Sequence, residues 1–167
     1  MKEKIELLRP TDQSALDLAR KLLTEIRSGA LATLDKDGYP LTSLINIAYD
    51  RDGTPLMLSS RLSDHTANLL VDPRCSLLIS ASGKGDPLAH PRLSLTCRSS
   101  EIKDGRESPR YREIRDVFLA HHPKSELYID FPDFLFFRLD VLLARLNGGF
   151  GKAYHLTALE ITSLTAR

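Results

Sequence analysis

Residues 30–53 read ALATLDKDGYPLTSLINIAYDRDG, and this stretch decides the fold. It contains two Asp-x-Asp-Gly sequences, each lying between apolar runs. Glycine supplies the positive φ angle that tight hairpin turns require. The pattern therefore predicts an antiparallel meander of three strands, at residues 30–34, 39–49 and 55–59.

A helix is predicted on the N-terminal side of this meander. Over residues 12–28, apolar side chains recur at helical spacing. Pro10 and Thr11 mark the start of the helix, and Gly29 stands where a C-terminal cap is expected.

The rest of the chain predicts a mixture of strands and helices. No internal repeat or long linker divides it, so residues 1–167 are predicted to form one domain. Antiparallel turns dominate and no βαβ alternation runs through the chain. The predicted class is mainly β with helices (α+β), an antiparallel β-barrel with about six or seven strands and three helices. The remaining predicted elements are a helix at 63–71, strands at 74–82 and 92–103, a helix at 109–121, a helical turn at 127–131, one or two strands within 134–147, a strand at 152–156 and a short helix at 158–167.

Composition excludes several classes of protein. Lys and Arg number 23 against 22 Asp and Glu, a net charge of +1, which argues against a dedicated nucleic-acid binder. No apolar run approaches the roughly 20 residues of a membrane-spanning helix, so no membrane role is expected. Cys75 and Cys97 stand alone, without the CxxC pairing of a structural zinc site. A reducing, cytoplasmic location fits this cysteine usage best.

Residues 58–69, LSSRLSDHTANL, carry most of the candidate chemistry. They place hydroxyl groups, Arg61 and His65 where a strand meets the N-terminus of a helix. The first backbone N–H groups of a helix are free and carry a partial positive charge. Together with hydroxyls and a cation, they favour a phosphate-binding site. The alternative is a polar loop with an N-capped helix.

Three motifs in order give the chain a family resemblance. They are the hairpin at residues 30–40, the Ser-x-His-x-x-Asn-Leu helix at 63–69 and the Gly-Phe-Gly turn at 149–151. In this order they resemble the FMN-binding split-barrel family that includes pyridoxamine 5′-phosphate oxidase. Within that family the chain is most similar to the haem-utilisation group, the HugZ-like proteins. The resemblance covers roughly residues 18–154.

The resemblance implies an FMN-binding flavoprotein, an oxidoreductase acting on an unidentified small-molecule substrate. It also implies a homodimer with the cofactor at the interface. Since the flavin supplies the redox chemistry, no catalytic side chain is assigned. The phosphate side carries over to Ser59, Ser60, Arg61, Ser63, His65, Thr66 and Asn68, the ring side to Thr42, Ser43, Leu44 and Ile45, and a contact from the partner subunit to Lys152.

Two departures keep other functions open. Relatives usually carry Arg just before the helix histidine, where this sequence has Asp64. That negative charge favours the alternative of a cofactor-free binding or regulatory barrel. Haem-degrading relatives take their iron ligand from a histidine beyond the Gly-Phe-Gly turn, and only His155 lies there. A haem-binding or haem-degrading function would therefore recruit His155, and no other metal site is predicted.

Overall fold

The computed structural model describes residues 10–149 and 151–166 of the chain. Within them lie eight strands, four α-helices and two short 3-10 turns, at Pro87–Ala89 and Pro123–Leu127. The strands are β1 (Ser28–Leu34), β2 (Pro40–Asn46), β3 (Ala48–Tyr49), β4 (Pro55–Ser60), β5 (Arg74–Ser80), β6 (Arg92–Glu101), β7 (Phe134–Asn147) and β8 (Ala153–Thr157). The helices are α1 (Gln13–Glu25), α2 (Asp64–Val71), α3 (Pro109–His121) and α4 (Ala158–Thr165).

The first helix begins as expected but ends early. The Asp12 carboxylate accepts a hydrogen bond from the backbone N–H of Ala15 at 2.8 Å, which caps the helix. The helix ends at Glu25, so the predicted extent of 12–28 is too long: Ile26 already has extended backbone and Ser28 opens β1.

Gly29 lies inside β1 and does not cap the helix, which corrects the prediction. A Cβ atom at this position would lie 2.7 Å from the carbonyl oxygen of Leu78 on the neighbouring strand β5. The glycine is therefore required by the close approach of two strands.

The strands form one antiparallel sheet that curls on itself. Their order is β2-β1-β5-β6-β7-β4-β3, with β8 added to β7. Only Ile47 separates β2 from β3, so the two ends of this order are joined through one residue. The start of β7 pairs with β4 and its end pairs with β8. This confirms the predicted α+β split-barrel fold.

The predicted strand 39–49 is interrupted at Ile47. The Ile47 N–H donates to the carbonyl of Arg27 at 2.8 Å, and its carbonyl accepts a hydrogen bond from His122 Nε2 at 2.8 Å. Because both backbone groups are taken by other segments, regular pairing stops there and two strands result.

Two apolar clusters form the core of the described part of the chain. The larger lies between the sheet and the helices α1 and α4, and includes Leu23, Leu77 and Leu95. The smaller packs α3 against β3, β4 and the start of β7. None of the helices described is long and apolar enough to cross a bilayer.

Other boundaries differ modestly from expectation. The helical turn predicted at 127–131 is a 3-10 turn at Pro123–Leu127, and the last strand runs Ala153–Thr157. In the Gly-Phe-Gly turn, Gly149 and Gly151 adopt the positive φ angles of 104° and 67°. Phe150 lies outside the described residues, as does Arg167 at the end of the predicted helix 158–167.

Candidate functional site

An open cleft of about 310 Å³ lies where the end of β4 meets the start of α2. Its size is at the lower end of the about 300–1,000 Å³ that is typical of small-molecule pockets. The edge strand β2 forms one wall and the segment from α3 to β7 forms the opposite wall. The lining residues are Leu44, Ile45, Asn46, Leu58, Ser59, Ser60, Ser63, His65, Phe118, Tyr128 and Phe134.

The floor of the cleft is a hydroxyl network centred on Ser59. The Ser59 Oγ lies 2.7 Å from His65 Nε2 and 2.6 Å from Thr66 Oγ1. Ser59 is 4% exposed and Thr66 is fully buried. The network therefore joins β4 to the first turn of α2, out of contact with water, and fixes the His65 ring in place.

The surroundings of His65 lower the pKa of its ring below the usual value. Partial burial lowers its pKa, while the charge of Asp64 opposes that shift. A neutral imidazole has one donor and one acceptor nitrogen. With Nε2 on Ser59, Nδ1 is the ring nitrogen left for a ligand in the cleft.

The two serine hydroxyls at the rim of the cleft differ in their hydrogen bonding within the chain. Ser60 Oγ donates to Asp133 Oδ2 at 2.5 Å and accepts from the N–H of Leu62 at 3.1 Å. Ser63 occupies the N-cap position of α2, yet its side chain makes no capping hydrogen bond. Its hydroxyl is therefore available at the helix start, beside His65.

Aromatic side chains form the wall opposite β2. The rings of Tyr128 and Phe134 lie 5.0 Å apart, and the Tyr128 hydroxyl lies 2.9 Å from the Oγ of the buried Ser125. Since that hydroxyl is engaged behind the wall, Tyr128 presents mainly its ring to the cleft. Phe118 continues this surface from α3. The wall suits a flat, apolar ligand.

Several residues predicted for the site lie elsewhere in the single chain. Thr66 lies buried behind Ser59, and Asn68 donates to Thr33 Oγ1 at 3.0 Å, tying α2 to β1. Arg61 reaches away to Glu101, at 3.4 Å. Thr42 and Ser43 lie on β2 outside the cleft lining.

Lys152 and His155 also lie outside the cleft lining of one chain. Lys152 is exposed in the turn before β8, and the side chain of His155 is exposed on β8 opposite Arg145. Of the predicted residues, one chain brings together in the cleft Leu44, Ile45, Ser59, Ser60, Ser63 and His65.

The sequence interpretation missed the aromatic wall. Phe118 falls on the apolar face of a predicted helix, and it is the core residue that its spacing indicates, 1% exposed, although it also lines the cleft. Tyr128 and Phe134 flank a proline-containing turn, and nothing in their spacing connects them with residues 58–69. They reach the cleft because β7 returns to pair with β4, where Ser60 lies opposite Phe134.

The charge around the cleft is unlike that of a phosphate site. Within residues 10–149 and 151–166, no Lys or Arg side chain lines the cleft. Asp64 opens α2, and its side chain lines a separate groove beside the β1–β2 hairpin, together with Lys36. No group of three or more metal-binding side chains is present in the described part of the chain.

The curled sheet with this cleft defines a split-barrel protein. Residues 10–162 match the family described as "CREG, beta-barrel". The chain therefore belongs to the CREG β-barrel family, which agrees with the resemblance seen in the sequence.

Two proteins similar to this chain have names that refer to haem. The chain is 32% identical over 143 residues to the "Non-canonical heme oxygenase HOZ, chloroplastic" of Arabidopsis thaliana, covering 84% of this chain and 42% of that protein. It thus spans about two fifths of that relative's length. A "heme binding protein from Mycobacterium smegmatis" superimposes with a TM-score of 0.80 at 30% identity, over 93% of this chain and 62% of that one.

A third likeness concerns the fold alone. A protein of the pyridoxinephosphate oxidase family from Clostridium acetobutylicum superimposes with a TM-score of 0.67 at 15% identity, over 90% of this chain and 99% of that one. The same fold is therefore found in proteins with different names, so the function of this chain has to be argued from its own cleft.

Proposed function

We propose that this protein binds haem in the cleft between β2, β4, α2 and α3. The observation that carries the proposal is the lining: an aromatic wall faces apolar side chains of β2, and polar groups cluster at one end. A porphyrin matches that division, because its ring is flat and apolar and its two carboxylates project from one edge. The names of two relatives, at 32% and 30% identity, support this choice.

The cleft side chains of one chain fit the porphyrin ring and its two carboxylates better than they fit the iron. The Ser63 hydroxyl is a hydrogen-bond donor suited to carboxylate oxygens, and His65 Nδ1 is the ring nitrogen left to contact them. Iron needs an axial donor such as His, Tyr or Cys. In the described cleft, Tyr128 and His65 Nε2 are already hydrogen-bonded. His155, exposed on β8, remains the residue we propose for that role, from a second subunit.

Haemin titration of the purified chain tests the proposal. We expect a saturable Soret band with one haem per chain. Phe134→Ala removes part of the aromatic wall and should weaken binding about tenfold, since Phe134 is half-buried in the free chain and covering its ring with a ligand is worth on the order of 1–3 kcal/mol. Tyr39→Ala is the control, because Tyr39 is 72% exposed and lies outside the cleft lining. Equal effects of the two variants, or no Soret band, would reject the cleft as the haem site.

The second candidate is the FMN-dependent oxidoreductase that the sequence indicates, with a small-molecule substrate. The free Ser63 hydroxyl at the start of α2 favours it, since helix starts bind phosphate. The absence of a basic side chain from the described cleft lining weighs against it. Titration with FMN in place of haemin separates the two: red-shifted, structured flavin bands would favour FMN. Binding of neither would support the cofactor-free barrel.

We also propose that two copies pair through the outer face of β2, β1 and β5. On that face Ala30 lies between Leu44 and Leu78, which are 79% and 38% exposed. Exposed apolar side chains beside small ones are typical of an interface. Leu44 also lines the cleft, so a partner seated there would extend the site.

Sedimentation of a charged variant tests the pairing. Leu78→Glu places a carboxylate in the middle of the proposed interface and should convert a dimer to a monomer. Leu159→Glu, on α4 and 75% exposed, is the control and should leave the dimer intact. A monomeric parent protein would contradict the proposal.

A further inference from the structure

The hydroxyl of Thr66 is unusual among the helical threonines. Thr24, Thr162 and Thr165 each donate to the backbone carbonyl four residues earlier. Thr66, although fully buried in α2, has Ser59 Oγ as its hydrogen-bond partner in the described structure. The Thr66 hydroxyl must therefore either donate its hydrogen bond to Ser59 Oγ or remain an unpaired donor, and an unpaired buried donor costs stability.

Counting protons along this network leaves one satisfactory arrangement. If Thr66 donates to Ser59, then the Ser59 proton goes to His65 Nε2, and every hydroxyl proton is used. If His65 Nε2 donated to Ser59 instead, one hydroxyl proton would lack an acceptor among the described residues. That proton belongs to Thr66 if Ser59 donates to Thr66, and to Ser59 if Thr66 also donates to Ser59, whose oxygen can accept twice. The first arrangement requires a lone pair on Nε2 and hence a proton on Nδ1.

We infer that Ser59 and Thr66 hold His65 as the neutral Nδ1–H tautomer, so that His65 donates a hydrogen bond to an acidic oxygen of the ligand and does not ligate iron. The tautomer follows from the network alone, whereas the contact with a ligand rests on the proposed ligand-binding role of the cleft. Ser63 directly precedes Asp64, and its hydroxyl makes no capping hydrogen bond. It supplies a second donor beside His65 in the cleft. The chemistry selected is an anionic oxygen, either a haem carboxylate or a flavin phosphate.

Nitrogen NMR of the ligand-free protein tests the tautomer. Ring-labelled histidine distinguishes protonated from unprotonated nitrogens at neutral pH, and the spectrum of His65→Gln identifies the His65 signals among the five histidines. We expect a protonated Nδ1 and an unprotonated Nε2. Ser59→Ala should shift the population toward Nε2–H, whereas Ser76→Ala, a hydroxyl bonded to Leu95 on the sheet, should not. An Nε2–H signal in the parent protein would overturn the inference.

Haemin binding by His65 variants tests the role of the donor. His65→Ala should weaken haemin binding about tenfold to a hundredfold, the range for a hydrogen bond to a charged group, with no shift of the Soret maximum. His65→Asn, which keeps a donor near the position of Nδ1, should recover part of the affinity. A shifted or lost Soret band in both variants, with haemin still bound, would make His65 an iron ligand and overturn the inference.

Two pairs of ligands distinguish whether the acidic oxygen belongs to a haem carboxylate or to a flavin phosphate. Haemin dimethyl ester lacks the free carboxylates, and riboflavin lacks the phosphate of FMN. A loss of affinity for the ester that disappears in His65→Ala would assign the contact to the carboxylate. A difference between FMN and riboflavin that disappears in that variant would assign it to the phosphate. If haemin does not bind, the haem proposal fails while the NMR result still decides the tautomer. Equal affinities within both pairs would overturn the ligand contact.

Discussion

His122 Nε2 donates a hydrogen bond to the carbonyl oxygen of Ile47 at 2.8 Å, across 75 positions of the chain. The contact joins the end of α3 to the single residue between β2 and β3. The His122 ring also packs on Phe118, with ring centroids 4.9 Å apart. The His122 side chain thus contacts both the residue that connects β2 to β3 and the aromatic wall of the cleft.

Stability should therefore depend on pH near neutrality. Burial lowers the pKa of His122 below its usual 6.5, and partial burial lowers that of His65 in the same direction. As pH falls below 6.5, the unfolded chain takes up these protons first, so the free energy of unfolding decreases. We expect the urea midpoint to drop between about pH 7.5 and about pH 5.5.

The variant His122→Gln separates this contribution from others. Glutamine keeps a side-chain N–H donor for Ile47 but does not titrate, so the decrease of the urea midpoint with falling pH should become shallower. Ser76→Ala removes a side-chain hydrogen bond to the carbonyl of Leu95 without removing a histidine, so it should leave the slope unchanged. A slope that is the same in both variants and in the parent would contradict the assignment to His122.

Gly53 is predicted to be essential for packing of the C-terminal helix. Its φ is 79°, and a Cβ atom there would lie 2.0 Å from the carbonyl oxygen of Thr162 on α4. Gly38 has a similar φ of 85° but open space around it. Gly38→Ala should thus cost about 1–2 kcal/mol of stability for the backbone alone, and Gly53→Ala about 2 kcal/mol or more beyond that. Denaturant unfolding measures both, and equal costs would contradict the packing argument.

Cys75 and Cys97 lie directly opposite each other on β5 and β6, and both are buried. Burial raises the pKa of Cys75 to about 12 and raises that of Cys97 as well. Because the thiolate is the reactive form, we expect neither to react with Ellman's reagent within minutes at neutral pH, and both to react after denaturation. Ser80→Cys, at an exposed position of β5, is the positive control. Rapid reaction of the native parent would show that the sheet opens there.

The parts of the fold that local chemistry controls were predictable from the sequence. The turns at Gly38 and Gly53 and the helix start at Asp12 depend on residues within a few positions of each other. The break at Ile47 was not predictable, because its cause is a hydrogen bond from His122. Gly29 was misread for the same reason, since the atom that requires a glycine belongs to Leu78.

The candidate site was also predictable from the sequence only in part. The motif at 58–69 correctly places Ser59, Ser63 and His65 at one strand–helix junction. It does not reveal the rotation of α2 about its axis, which turns Thr66 inward and Asn68 toward β1. Only the tertiary packing decides which hydroxyls of a polar stretch are used within the chain and which remain for a ligand.

Asp64 gives the last prediction, because its charge acts on both His65 and any anion in the cleft. The Asp64 carboxylate raises the pKa of His65 against the effect of burial. Asp64→Asn should therefore lower the pKa of His65 further, as followed by NMR titration. The same variant removes a negative charge from the first turn of α2 and should tighten binding of FMN or haemin about two- to fivefold at low salt. Asp37→Asn, at an exposed position of the β1–β2 hairpin, is the control. An unchanged affinity together with a lowered His65 pKa would mean that the anionic group of the ligand binds away from the start of α2.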